Sequence, residues 1–294
     1  MILRRRKGLW SPTVAGTGWG ESTYAELSWD KSRSAALRWA MFGLLVGAIV
    51  ALMAFAPAAW LARAVASATD QRLLLADARG TVWSGSAVLV LTGGPESRDA
   101  SALPGRLEWT VGLNALALEV RARQDCCLNG PIALRLRPGF GRMSITLMPS
   151  PGWTGQWPSA WLGGLGTPWN TLQLGGALRL VTPGLTLESV QGRWRVDGRA
   201  EVELLGVSSR LTTLDPLGNY KLTLSGNAAQ AGVAQLNLST TDGALQLSGD
   251  GSWGPGGVRF RGEARAGAAD EAALTNLLNI IGRREGARSV ISIG

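Results

Sequence analysis

The sequence predicts an all-β fold: a strongly curved antiparallel meander sheet or half-barrel, with one N-terminal transmembrane helix before it and one helix near the C-terminus. Three observations lead there. Residues 39–62 carry no charge over 24 positions. From Leu73 onward, short segments alternate polar and apolar residues with a period of two. Gly, Pro, Asp and Asn separate those segments, and 40 of the 294 residues are glycine.

The uncharged run comes first in the chain. A helix rises about 1.5 Å per residue, so this run spans roughly 36 Å, more than the hydrocarbon core of about 30 Å. Arg4, Arg5, Arg6, Lys7, Lys31, Arg33 and Arg38 precede it, opposed by Glu21, Glu26 and Asp30. After it comes Arg63, and then no charge until Asp70. Basic residues stay on the cytoplasmic side during insertion. The expected layout is therefore a cytoplasmic basic tail over 1–38, a single-pass signal anchor over 39–62, a stalk over 63–72 and an exported β-rich domain over 73–294. In a cell with two membranes the anchor lies in the inner membrane and the domain in the periplasm. Trp39 and Trp60 sit near the two ends of the run, where interfacial indoles are favoured. A cleaved signal peptide is the rival reading, since Ala64-Val65-Ala66 and Ala66-Ser67-Ala68 resemble cleavage sites, but the run exceeds the usual apolar region of about 7–15 residues. Residues 8–30 read as a poorly ordered tail, 32–38 as the start of the helix, and Pro57 as a kink within the span.

The net charge of +8 is concentrated near the span. Eight of the 29 Lys and Arg and three of the 21 acids precede Thr69, which leaves +3 on the rest of the chain and argues against a nucleic-acid partner. There is no His, which removes Ser-His-Asp and Cys-His catalysis and the commonest metal ligand. Two cysteines alone do not make a zinc site. No catalytic residue, metal or cofactor is expected, and the chain reads as a non-enzyme.

Within the exported part, strands are expected at 81–91, with a Gly bend, and at 106–111, 116–122, 132–137 and 142–147. Further strands follow at 172–174, 177–181, 185–190, 192–196 and 200–205, then at 220–225, 234–239, 244–248 and 258–266. Turns are expected at Thr182-Pro183-Gly184, Asp197-Gly198, Gly218-Asn219 and Thr241-Asp242-Gly243. Consecutive strands joined by tight turns make a meander, and mid-strand glycines such as Gly85, Gly175 and Gly176 mark bends.

Residues 148–170 interrupt the pattern with four tryptophans, Trp153, Trp157, Trp161 and Trp169, and four prolines. The segment is too Pro-rich for a strand and reads as a loop over the sheet, with a short helix around 159–162. Its indoles either plug one end of the core or form an exposed partner-binding patch. Residues 270–281 read as a helix with acidic residues at its start, apolar residues at helical spacing and Gly282 at the C′ position. A last strand is expected at 288–293.

Cys126 and Cys127 are adjacent. In an oxidising compartment they can close a strained eight-membered disulfide ring and act as a redox switch, serve as a local clip, or remain quiet thiols. Glu201 and Glu203 share a strand face with Arg199, which reads as a solvated face rather than a general acid/base pair.

Two segments resemble the N component of the bacterial type II secretion system. These are LLLADARGTVWSG over 73–85 and NLLNIIGRREGARS over 276–289, with Leu217-Gly218-Asn219-Tyr220 before a strand in support. The resemblance covers roughly 37–294; the tail before the anchor is longer than usual for the family. It implies an inner-membrane accessory of a machine that exports folded proteins, acting by contact with other secretion components, and it carries no functional site residue. The alternative reading is a periplasmic lipid- or amphiphile-binding module whose curved sheet leaves an apolar groove open.

Overall fold

The computed structural model describes residues 19–227, 233–254 and 257–294. The chain divides into two units, Met1–Ala54 and Phe55–Gly294. Among the described residues, the first unit is one helix, α1 (Trp19–Ala54), containing a stretch, Ala36–Ala54, long and apolar enough to cross a bilayer. Its 19 residues rise about 28 Å. Residues 1–18 of the expected tail lie outside the described residues. The rest of that tail, from Trp19, is helical rather than irregular, because Ala, Glu, Leu and Lys between 21 and 37 are good helix formers that extend a helix already nucleated.

The uncharged run is not one continuous helix. α1 stops at Ala54, and α2 (Ala58–Ala68) starts after Pro57. Proline disfavours helical geometry in the residue before it and has no N–H to continue the ladder. The freed backbone joins the sheet instead: Pro57 bridges Thr81, and Val82 N–H donates to the Ala56 carbonyl at 2.8 Å. Ala56 and Ala58 are buried within the second unit.

That unit is one open antiparallel sheet. Its strands are β1 (Leu73–Gly80), β2 (Ser84–Thr92), β3 (Ala100–Ala102), β4 (Leu107–Asn114), β5 (Ala117–Arg123), β6 (Ile132–Gly139), β7 (Arg142–Leu147) and β8 (Gly155–Pro158). They continue as β9 (Leu174–Val190), β10 (Arg193–Ser209), β11 (Gly218–Gly226), β12 (Ala234–Gly243), β13 (Leu245–Gly254), β14 (Gly257–Ala266), β15 (Arg283–Glu285) and β16 (Arg288–Ile293). The order is sequential except that β16 lies between β14 and β15, while β3 pairs with β2 and β8 with β9 beside the main path. α3 (Trp169–Leu172) and α4 (Glu271–Ile281) complete the elements.

The register sorts side chains into two unlike faces. Leu113, Leu118, Leu136, Ile145, Leu187 and Val196 stand opposite one another on six strands. The neighbouring register line runs Glu119, Arg135, Thr146, Thr186 and Asp197. Because the side-chain period is two, adjacent lines project to opposite faces. The apolar face is covered at its two ends. At one, Ala58 of α2 packs with Ala87 and Trp109, supported by Leu61, Leu75 and Val111. At the other, Leu274, Leu277 and Leu278 of α4 pack on Val207, Leu217, Tyr220, Leu245 and Ala264. Ser289 Oγ donates to the Leu278 carbonyl at 2.6 Å and ties α4 to β16. Burial pushes the Tyr220 phenol well above its ordinary pKa, so it stays neutral.

Several local expectations differ from the structure. The expected turn residues Gly218-Asn219 and Thr241-Asp242-Gly243 lie inside β11 and β12, residues 81–83 precede β2 rather than opening it, and Leu172 ends α3 rather than starting a strand. The residues 182–184 and 197–198 do not reverse the chain; β9 and β10 run through them as 17-residue strands. Gly184 (φ 139°) pairs with Arg199 and Gly198 (φ 107°) with Leu185, directly beside a register shift between Arg199 and Glu201, so the turn residues bend a strand pair instead. Thr182 Oγ1 donates to the Arg199 carbonyl at 2.7 Å across that bend. The Pro-rich segment does contain a strand, β8, followed by a 3₁₀ helix over Ser159–Leu165. Gly282 is extended rather than left-handed and leads directly into β15.

The polar face carries a linked ion network. Lys221 lies 3.0 Å from Glu201 and 3.8 Å from Glu203; Arg199 lies 2.6 Å from Glu201, and Arg179 reaches both Glu203 and Gln156. The Lys221 hydrogen bond holds the Glu201 carboxyl below its ordinary pKa. A depressed carboxylate contributes stability that is present above its unfolded pKa and lost as pH falls through the folded one. Glu201→Gln is therefore expected to flatten the loss of stability below about pH 5, read as the urea midpoint against pH in detergent solution. Leu278→Ala, at a site with 0% exposure, is expected to lower stability by about 2–5 kcal/mol in the same assay. Leu116→Ala, 92% exposed, is expected to change it by less than about 0.5 kcal/mol.

Candidate interaction surface

The tryptophan segment lies between β7 and β9 and is held down along its length. Thr154 N–H donates to the Leu180 carbonyl at 2.7 Å, and Gln156 N–H to the Cys127 carbonyl at 2.7 Å. The Asn129 side-chain amide donates to the Trp153 carbonyl at 3.1 Å. Trp161 Nε1–H donates to the Ser101 carbonyl at 3.0 Å, fixing the 3₁₀ helix over β3. Gly164 sits so close to β2 that a Cβ there would stand 2.4 Å from the Leu91 carbonyl oxygen. Trp153, Trp157 and Trp161 are half-buried, whereas Trp169, at the start of α3, is exposed. Of the four indoles Trp169, at 36%, is the most exposed, and Trp161 is the one tied to the sheet by its own hydrogen bond.

Cys126 and Cys127 are joined as a disulfide in the turn between β5 and β6. The Cys127 side is buried and the Cys126 side exposed. The Cys127 carbonyl accepts the bond from Gln156, and Leu128 bridges Gly155, so this turn anchors β8.

Beside Trp169 lies an open cleft of 880 Å³. Asp99, Ser101, Asn170, Gln173, Arg210 and Asp215 supply its polar lining. The Asn170 side-chain amide donates to Asp99 Oδ2 at 3.0 Å and fixes one carboxylate on the rim. Ser209 Oγ donates to the Leu172 carbonyl at 2.6 Å, and Thr212 Oγ1 to the Ala273 carbonyl at 3.1 Å. Those hydroxyls serve the backbone and are not poised as nucleophiles. The lining combines carboxylates, amides, hydroxyls and one guanidinium with the Trp169 indole, Leu174 and Leu214, and is more polar than apolar. No sequence signal marks it, because its residues come from four separated stretches with no shared spacing.

The rest of the exposed edge is charged. β15 is the short sequence Arg283-Arg284-Glu285, and its side chains reach Glu271 and Arg288. Short charged strands blunt a sheet edge against unwanted pairing. β1, at the opposite end of the strand order, is eight residues long; among the described residues no further strand pairs with it, and α2 packs against it.

The comparisons with known proteins bear on the same residues. The family model described as type II secretion system (T2SS), protein N, matches residues 71–292, which begins just before β1 and ends within β16. No curated protein and no solved structure matches the chain. The match spans well over half of the sequence and nearly the whole sheet, and on that ground the chain belongs to the type II secretion system protein N family.

Proposed function

We propose that this protein is an inner-membrane-anchored accessory of the type II secretion machinery whose sheet stands in the periplasm and binds other secretion components. The family match carries the reading, since the family is one of secretion components and not of catalysts. The stretch Ala36–Ala54 supports the anchor. The basic residues before it support a cytoplasmic N-terminus, and export of Phe55–Gly294 follows from that orientation. Binding by contact fits a molecule with an exposed indole at Trp169 and a polar cleft beside it. The amphiphile-binding alternative draws no support from the family or from the lining of this cleft.

A photoreactive residue at Trp169, crosslinked in cells with adducts identified by mass spectrometry, tests the reading. Adducts with exported domains of other secretion components are expected. Adducts confined to phospholipid, or to cytoplasmic proteins, would contradict it.

A further inference from the structure

The two ends of the sheet are unlike. The turns after β1, β4, β6 and β9 all fall at one end, as the register requires: Gly80 pairs with Gly85, Asn114 with Ala117, Gly139 with Arg142, and Arg142 in turn with Val190. Ser84 opposite Thr110 puts the first of these turns on the same side as the second. β16 also finishes there, with Ile293 opposite Phe260. The chain enters the unit at this end too, through the bridge between Pro57 and Thr81.

Exposed large apolar side chains gather at these tips. Leu113 and Leu116 flank the β4–β5 turn at 75% and 92% exposure, and Phe140 at the β6–β7 turn is fully exposed. Trp194 projects beside the β9–β10 turn, Phe55 marks the point of entry, and Ile293 ends β16. By contrast, Trp169 and Ile280 are the exposed large apolar residues away from this end, among the described residues after Trp60. Tight turns are ordinarily polar, and the Gly-Phe-Gly at 139–141 gives Phe140 nothing to pack against.

Cations accompany them. Residues 135–143 hold three arginines and no acid. Arg137, Arg142 and Arg193 are exposed and, among the described residues, form no ion pair. The nearest acids along β9 and β10 are Glu188 and Asp197, set back from the tip. Separated apolar tips that project from a rim of one charge sign suit a headgroup layer, into which each tip dips by itself. A flat protein partner calls for a contiguous patch instead.

We propose that this end of the sheet docks on the anionic phospholipid headgroups of the leaflet from which the chain emerges. Leu116, Phe140 and Trp194 enter the interface, and Arg137, Arg142 and Arg193 meet lipid phosphates. The proposal goes beyond the accessory role and uses the anchor reading only to supply the surface.

The full chain, reconstituted in vesicles of phosphatidylethanolamine and phosphatidylglycerol, provides the test. An environment-sensitive fluorophore is placed on Phe140→Cys or Leu116→Cys, with Arg98→Cys at the opposite end as reference; the native cysteines, joined to each other, are left unreduced. Labels at 140 and 116 are expected to shift to the blue and be quenched by nitroxide lipids, and the label at 98 is not. With the label at 116, Arg137→Ser and Arg142→Ser are each expected to lower the inserted-to-free ratio about fivefold. Labels at 140 and 116 as open to aqueous iodide as the one at 98 would overturn the proposal. So would shielding that arises only when other secretion components are added, which would assign the tips to a protein partner. A carbonate wash separates the two readings: chain stripped from vesicles whose 140 label was quenched beforehand defeats the anchor and leaves the tip docking standing.

Discussion

Everything in the β unit follows from one constraint: a single antiparallel sheet with one apolar face must cover that face with its own chain. The register line from Leu113 to Val196 shows how continuous the face is, and the line from Glu119 to Asp197 shows how different its reverse is. Antiparallel sheets tolerate water on one side only. Here α2 and α4 cover the two ends of the apolar side, and the tryptophan segment lies along β2, β3 and β9. Between the helices Leu136, Ile145 and Leu187 remain half-buried.

The covering elements explain where the chain breaks. Pro57 ends α1 because Ala56 and Ala58 are needed on the sheet beside Thr81 and Ala87. Gly282 is extended because the chain must pass from α4 to the edge strand without a cap. Cys126 and Cys127 occupy the turn that receives β8, so the disulfide sits where the tryptophan segment is pinned.

Much of the fold was legible in the sequence, because alternation and tight turns are local signals. The strands from Leu107 to Leu147 and from Tyr220 to Ala266, and the helix with Leu274, Leu277 and Leu278, follow from spacing, although β11 already begins at Gly218, where a turn is expected. The bends at Gly184 and Gly198 were not legible, since the same residues serve a reversal or a bulge and only pairing across the two strands decides. The division of the uncharged run was hidden for a similar reason. Composition allows 39–62 to span a membrane, whereas packing of Ala58 against Ala87 and Trp109 is a long-range contact. Of the four candidate indoles, solvent exposure singles out Trp169, and the cleft beside it comes from residues too far apart in the chain to form a motif.

Family membership and the apolar helix fit a tethered secretion component, and the value of the sheet as a binding surface depends on which side of the membrane it occupies. The most direct measurement is the labelling of single cysteines in intact spheroplasts by a membrane-impermeant maleimide. Arg98→Cys, in the exposed loop after β2, reports on the sheet; Ser11→Cys reports on the tail. The account predicts that the cysteine at 98 reacts at once and the one at 11 reacts only after the inner membrane is permeabilised. The reverse pattern, or protection of both, would contradict it.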